Sequence, residues 1–150
     1  MIQNYWKDFL ASTNRESDEK CSGVICLGMD AKTCAAANEK ILSGKMHCRI
    51  YPADGYRKAM SGEARTGELN IVTDWKGEPC AVIETTGVRM LPVSGLTDEI
   101  CASEGLYADL ATWKEKQLPY IKTEVEELGS VFDDATVLTV EEFRTVYPIA

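Results

Sequence analysis

Long apolar runs, close pairs of metal ligands and a second histidine are all missing from this chain of 150 residues. The longest apolar candidate, Gly23 to Met29, is far shorter than the roughly 20 residues that a membrane-spanning helix takes. The first residues, Met1 to Asp8, carry no basic segment leading into an apolar run and no small-residue cleavage site. No signal peptide is therefore expected, and a soluble, cytoplasmic protein without membrane contact is. His47 stands alone, and the six cysteines at 21, 26, 34, 48, 80 and 101 form no Cys-x-x-Cys pair. That spacing predicts no bound metal and no cofactor, and it predicts six reduced thiols, with Cys34 and Cys101 as small core residues.

What is present fits one globular domain spanning 1–150, with 45% hydrophobic and 27% charged residues. The formal net charge of −8 opposes non-specific binding to polyanions, whose affinity is dominated by phosphate neutralisation. The charge is unevenly spread. Residues 45–65 hold Lys45, Arg49, Arg57, Lys58 and Arg65 against Asp54 and Glu63, whereas residues 98–142 hold twelve acidic residues against three lysines. One local basic segment on an acidic body suits a compact anionic ligand better than a long duplex. The alternative is two solvated faces with no partner.

Trp6, Phe9 and Leu10 recur at helical spacing, so a short N-terminal helix is expected, followed by a polar surface loop from Ser12 to Ser22. Asp30 can cap a helix whose apolar arc is Ala31, Cys34, Ala35, Ile41 and Leu42, with Gly44 at its stop. A polar loop is expected from Tyr51 to Gly67. Leu69–Thr73, a turn at 74–77 and Pro79–Leu91 read as a hairpin whose second arm is apolar on both parities, as in a bent barrel strand. Thr97 opens a short helix that stops at Gly105. A longer helix from Asp109 to Leu128 presents Leu110, Trp113, Gln117, Ile121, Val125 and Leu128 on one face, kinked or split at Pro119. Thr136 to Tyr147 closes the chain as a strand, which makes the fold class α+β with a small curved sheet.

Several of these pieces together resemble the ASCH-domain family of the PUA-like superfamily. The run from Gly67 to Thr86 looks like its central hairpin, and Leu27-Gly28 with Ala36 to Lys45 looks like its helix and Gly-Lys turn. Ala102-Ser103-Glu104-Gly105, Leu110 to Trp113 and Phe143 to Tyr147 resemble its Ala-x-x-Glu-Gly, Leu-x-x-Trp and terminal-strand patterns, so the likeness covers about residues 20 to 148. It implies a small β-barrel with flanking helices, a cleft between the two, and RNA or a modified nucleoside or nucleotide as partner. Family members are linked to RNA binding, in some bacterial cases to RNA cleavage, and in small members to deacetylation of acetylcytidine.

In those amidohydrolases a Gly-x-Lys-x-x-Thr turn supplies a lysine base and a threonine, and the glutamate of Ala-x-x-Glu completes the site. Here the glycine is Gly44 and the glutamate Glu104, but the lysine position holds Met46 and the threonine position Arg49. Methionine accepts no proton and arginine stays protonated, so the pair is lost. Lys45 lies one residue early, and Gln117 stands where many longer members carry histidine.

The resulting expectation is a binding module that uses Lys45, Arg49, Tyr51 and Glu104 without efficient catalysis. Lys45 and Glu104 would meet across the cleft, as ligand groups or as a plain ion pair. Arg49 and Tyr51, two apart on an extended segment, would share a side and offer a cation and a ring to a base and its phosphate. The alternative is a hydrolase, a ribonuclease or acetylcytidine amidohydrolase with a rearranged site, in which Glu104 is the catalytic acid-base group and Lys45 the electrostatic one. A second alternative is a protein-interaction module. Adjacent side chains on a strand diverge, so His47 and Cys48 are not expected to form a nucleophilic pair. Trp75, on a turn, is either a stacking platform or folded back on its own sheet.

Overall fold

The computed structural model describes residues 1–148. Its elements in order are α1 (Ile2–Ser12), β1 (Gly23–Cys26), α2 (Ala31–Leu42), β2 (Cys48–Pro52), α3 (Tyr56–Ser61), β3 (Leu69–Thr73), β4 (Pro79–Pro92), α4 (Asp98–Ser103), α5 (Leu110–Glu127) and β5 (Val137–Tyr147). The five strands form one sheet in the order β1-β3-β4-β5-β2, with β1 parallel to β3 and the other pairs antiparallel.

The long strand β4 makes this sheet curl. Its first part pairs with β3 and its remainder with β5, and the register shifts at Val72/Thr73, Val82/Ile83 and Thr85/Gly87. Each shift bends and twists the ladder. The product is a five-stranded half-barrel with β1 and β2 at its two edges. Both faces are covered, which accounts for the apolar residues on both parities of β4. Val82 packs with Leu69, Ile71 and the α1 residues Phe9 and Leu10. Its neighbours Ala81 and Ile83 pack with Val72, Phe143 and the α2 residues Ala37 and Ile41. A third core joins Cys48, Ile50, Leu138 and Val140 of the sheet to Cys101 of α4 and Trp113, Ile121 and Val125 of α5.

The helix starts follow their capping residues. Asp30 accepts from Thr33 N at 2.8 Å and completes a capping box with the Thr33 side chain. Thr97 and Asp109 accept from Ile100 N and Thr112 N at the starts of α4 and α5.

Three expectations are corrected. The buried arc of α2 is Cys34, Ala37, Asn38 and Ile41, while Ala31, Ala35 and Leu42 face solvent. The helix meets the sheet about one residue step round from the arc read in the sequence. Pro119 lies inside a continuous α5 and does not split it. The segment 51–67 is not one loop, because it holds the end of β2 and the short helix α3. Strands β1 and β2 are short edges whose partners, β3 and β5, are distant in sequence.

Candidate functional site

The four residues singled out in the sequence fall into three separate settings. Glu104 caps α4 and is 5% exposed. Its Oε1 accepts from Trp113 Nε1 at 2.7 Å, and its Oε2 accepts from the backbone N–H of Ile50 at 2.8 Å. Burial pushes its carboxyl up to about 7 despite these two bonds, which favour the charged form.

Lys45 does not meet Glu104. Its side chain is exposed and forms no ion pair among the described residues. The two segments nonetheless touch through backbone. Gly105, at φ +76, lies so close to Lys45 that a Cβ there would stand 2.5 Å from the Lys45 carbonyl oxygen. The Lys40 ammonium also donates to the Gly105 carbonyl. The Gly44 turn and the end of α4 are thus locked together without the charge pair expected from the sequence.

Arg49 and Tyr51 do share a side, and what they share is Glu141. Arg49 Nε donates to Glu141 Oε2 at 2.9 Å and Tyr51 Oη to Oε1 at 2.8 Å, while the guanidinium stands 5.1 Å from the Tyr51 ring centroid. Glu141 is fully buried and pairs directly across the β2–β5 ladder with Arg49. Burial, then the Glu141 charge, raises the Tyr51 hydroxyl well above its ordinary value. A buried carboxylate needs such partners. Of the other basic residues, Arg57 pairs with Glu68 at 2.7 Å and Lys58 with Asp54 at 2.8 Å.

Glu142, next to Glu141, points to the opposite face, because successive strand side chains alternate. There it lines a cleft of about 490 Å³ between the β4–β5 bend and α4. His47, Thr86, Arg89, Glu99 and Ser103 supply the other polar groups, and Ile100 and Phe143 the apolar walls. The side chains of His47, Thr86, Arg89, Glu99 and Glu142 make no hydrogen bond or ion pair with other described residues. Cys48 lies fully buried next to this wall, near Ser103, Glu104, Glu142 and Arg89, and burial pushes its thiol up to about 11. A second cleft of about 450 Å³ borders the Gly44 turn, with Ile41, Leu42, Met46 and Val146 as apolar wall and Arg144 at its edge. His47 lies on both clefts.

The sequence reading missed Arg89, Glu142 and Glu141. The signal for the last two was a pair of adjacent carboxylates in the apolar run of the terminal strand, where one of the two must face inward. Trp75 is half exposed on its turn, and no group of three or more His, Cys, Asp or Glu able to hold a metal ion occurs among the described residues.

Comparison with known proteins gives a consistent picture. The family model described as the ASCH domain matches residues 23–147. An ASCH-domain crystal structure from Lactobacillus crispatus JV V101 superposes with a TM-score of 0.84 at 29% identity, covering 97% of this chain and 93% of that one. A protein of Enterococcus faecalis V583 superposes with a TM-score of 0.82 at 22% identity, covering 100% and 98%. The latter likeness bears on the fold alone. No curated protein matches in sequence.

Proposed function

From the premise that this chain belongs to the ASCH-domain family, we propose that it binds RNA or a modified nucleoside or nucleotide between half-barrel and helices, without efficient catalysis. One observation carries this reading: five polar side chains with no partner among the described residues converge on a cleft of about 490 Å³. That size is typical of small-molecule sites, and all five side chains are exposed and so available to a ligand. Glu142 is suited to accept from an exocyclic amine of a base, and Arg89 to hold a phosphate or a carbonyl edge. Ile100 offers an apolar wall to a base, and Lys45, exposed two positions before the cleft residue His47, is available to a phosphate.

Arg49 and Tyr51 enter this proposal differently from the way the sequence suggested. Their polar groups are engaged by Glu141, so they serve to hold β2 against β5 behind the site. Glu104 likewise positions β2 and α5, since both its oxygens already accept bonds.

The reading is tested by titrating nucleosides, nucleotides and a short single-stranded RNA while following backbone amide resonances. Shifts should centre on His47, Arg89, Ser103 and Glu142, and Arg89→Ala or Glu142→Gln should weaken binding by about tenfold or more. Shifts centred on Arg57, Lys58 and Arg65 instead would move the site to the basic segment.

A hydrolase is the second reading, favoured by the raised carboxyl of Glu104, since an acid poised near 7 suits proton transfer. Against it stand the burial of that carboxyl and the two donors that occupy it.

A further inference from the structure

The side of the molecule around the β1–α2 turn holds three thiols that the proposed function does not use. Cys26 Sγ at the end of β1 lies 3.6 Å from Cys34 Sγ in α2. Asn38 Nδ2 stands 3.7 Å from the Cys34 sulfur and 3.8 Å from that of Cys80. Gly28 makes the first contact possible. At φ +89 it lets the chain turn so tightly that a Cβ there would lie 2.5 Å from Cys34 N. Strand end and helix start are thereby drawn together across only eight positions of sequence.

The two thiols differ in access. Cys26 is exposed, and Cys34 is completely buried beneath it. We propose that Cys26 and Cys34 form a dithiol modification site, closed to a disulfide by low-molecular-weight disulfides. Cys26, as thiolate, attacks one sulfur of the oxidant, which breaks the oxidant's S–S bond, forms a mixed disulfide on Cys26 and releases one thiolate. Cys34, losing its proton, then attacks Cys26 Sγ, forming the Cys26–Cys34 bond and expelling the second thiolate. The two thiol protons pass to the released thiolates, so two cysteines are oxidised while one disulfide is reduced to two thiols.

The order of steps follows from the surroundings. The Cys34 thiol is pushed up to about 11, first by burial and then by the contact with Cys26, so Cys26 meets the oxidant and Cys34 resolves. The sulfur atoms have to close from 3.6 Å to a bond of about 2 Å, a movement that falls to the exposed Cys26 because Cys34 is fully buried. The bond would tie the edge strand β1, which pairs in the sheet with β3 alone, covalently to the helix that leads into the Gly44 turn.

The test treats the full, folded chain with oxidised glutathione as probe, then unfolds it in denaturant for alkylation, intact mass and peptide mapping. Alkylatable thiols should fall from six to four, with a loss of about 2 Da and a crosslink between the peptides carrying Cys26 and Cys34. Cys26→Ser, an exposed substitution that leaves the core intact, should abolish the crosslink, whereas Cys21→Ser and Cys80→Ser should keep it. Accumulation of an unresolved mixed disulfide on Cys26, a Cys26–Cys80 crosslink, or six thiols still alkylatable would each overturn the proposal.

Discussion

Ile50 donates its backbone N–H to Glu104 Oε2 at 2.8 Å across the free edge of the half-barrel. Strand β2 is an edge, and its other side is taken by β5. An unpaired N–H in that position would be a buried orphan, so the carboxylate acts in place of a sixth strand. The second oxygen then fixes Trp113, the fully buried centre of the α5 core. A residue singled out for chemistry thus closes the sheet.

That role gives stability a dependence on pH. Burial raises the Glu104 carboxyl from its ordinary 4.5 to about 7. Between those values the folded state binds more protons than the unfolded one, so the contribution is fully present below about 4.5 and is lost as pH rises through 7. The shift corresponds to roughly 3 kcal/mol. Urea unfolding of wild type and Glu104→Gln at pH 5 and pH 8 should show wild type losing about that much relative to the variant. A wild type that gains on the variant at pH 8 would mean that the two donated bonds outweigh desolvation.

The Arg49–Glu141 pair should behave as a buried ion pair. Arg49→Met leaves Glu141 buried with Tyr51 as its remaining side-chain partner, and should cost about 3–5 kcal/mol. Arg49→Met combined with Glu141→Leu should cost less than Arg49→Met alone, because no charge is then stranded. Additive losses in denaturant melts would show that the pair is not coupled.

Local features were the legible ones. The hairpin, the cap at Asp30, the helix start at Thr97 and the stop of α4 each depend on residues within a few positions, and the structure has them where the sequence puts them. Strand β1 was not legible and β2 only as an extended segment around Arg49 and Tyr51, because both owe their existence to partners far along the chain. The same holds for the site. Arg49 and Tyr51 were read as sharing a side, which they do, but Glu141 lies 92 positions from Arg49, and nothing near Arg49 announces that it is already engaged. Arg89 and Glu142 face one cleft only after the Thr85/Gly87 register shift turns β4, which a period-two reading does not contain.

Binding at the cleft should depend weakly on salt for a single nucleotide and more steeply for a short RNA. Each phosphate neutralised contributes a slope of about −0.7 in log affinity against log salt for single strands. Arg89 is the one arginine or lysine lining the cleft, so a mononucleotide should show a slope near −1 or shallower. Arg89→Ala should flatten it. A long duplex that outcompetes a short single strand at about 0.15 M salt, where the Debye length is about 8 Å, would contradict a compact site on an acidic body.

Acetylcytidine turnover should be negligible, and the structure shows why restoring the family's pair is not a simple exchange. Met46 occupies the lysine position but is 4% exposed, packed with Ile41, Ile83 and Phe143. A lysine there would be buried as a charge or would lose its proton, either of which costs stability. Arg49 occupies the threonine position, and Arg49→Thr strands Glu141 in the same way as Arg49→Met. Met46→Lys with Arg49→Thr should therefore unfold at markedly lower denaturant than wild type. Adding Glu141→Gln should recover part of that loss by removing the buried charge, and only this triple variant is expected to fold well enough for hydrolysis to be sought. Wild-type turnover near the enzyme median of about 10 s⁻¹, abolished by Glu104→Gln in a variant that still folds, would instead make Glu104 the acid-base group and the binding-only reading wrong.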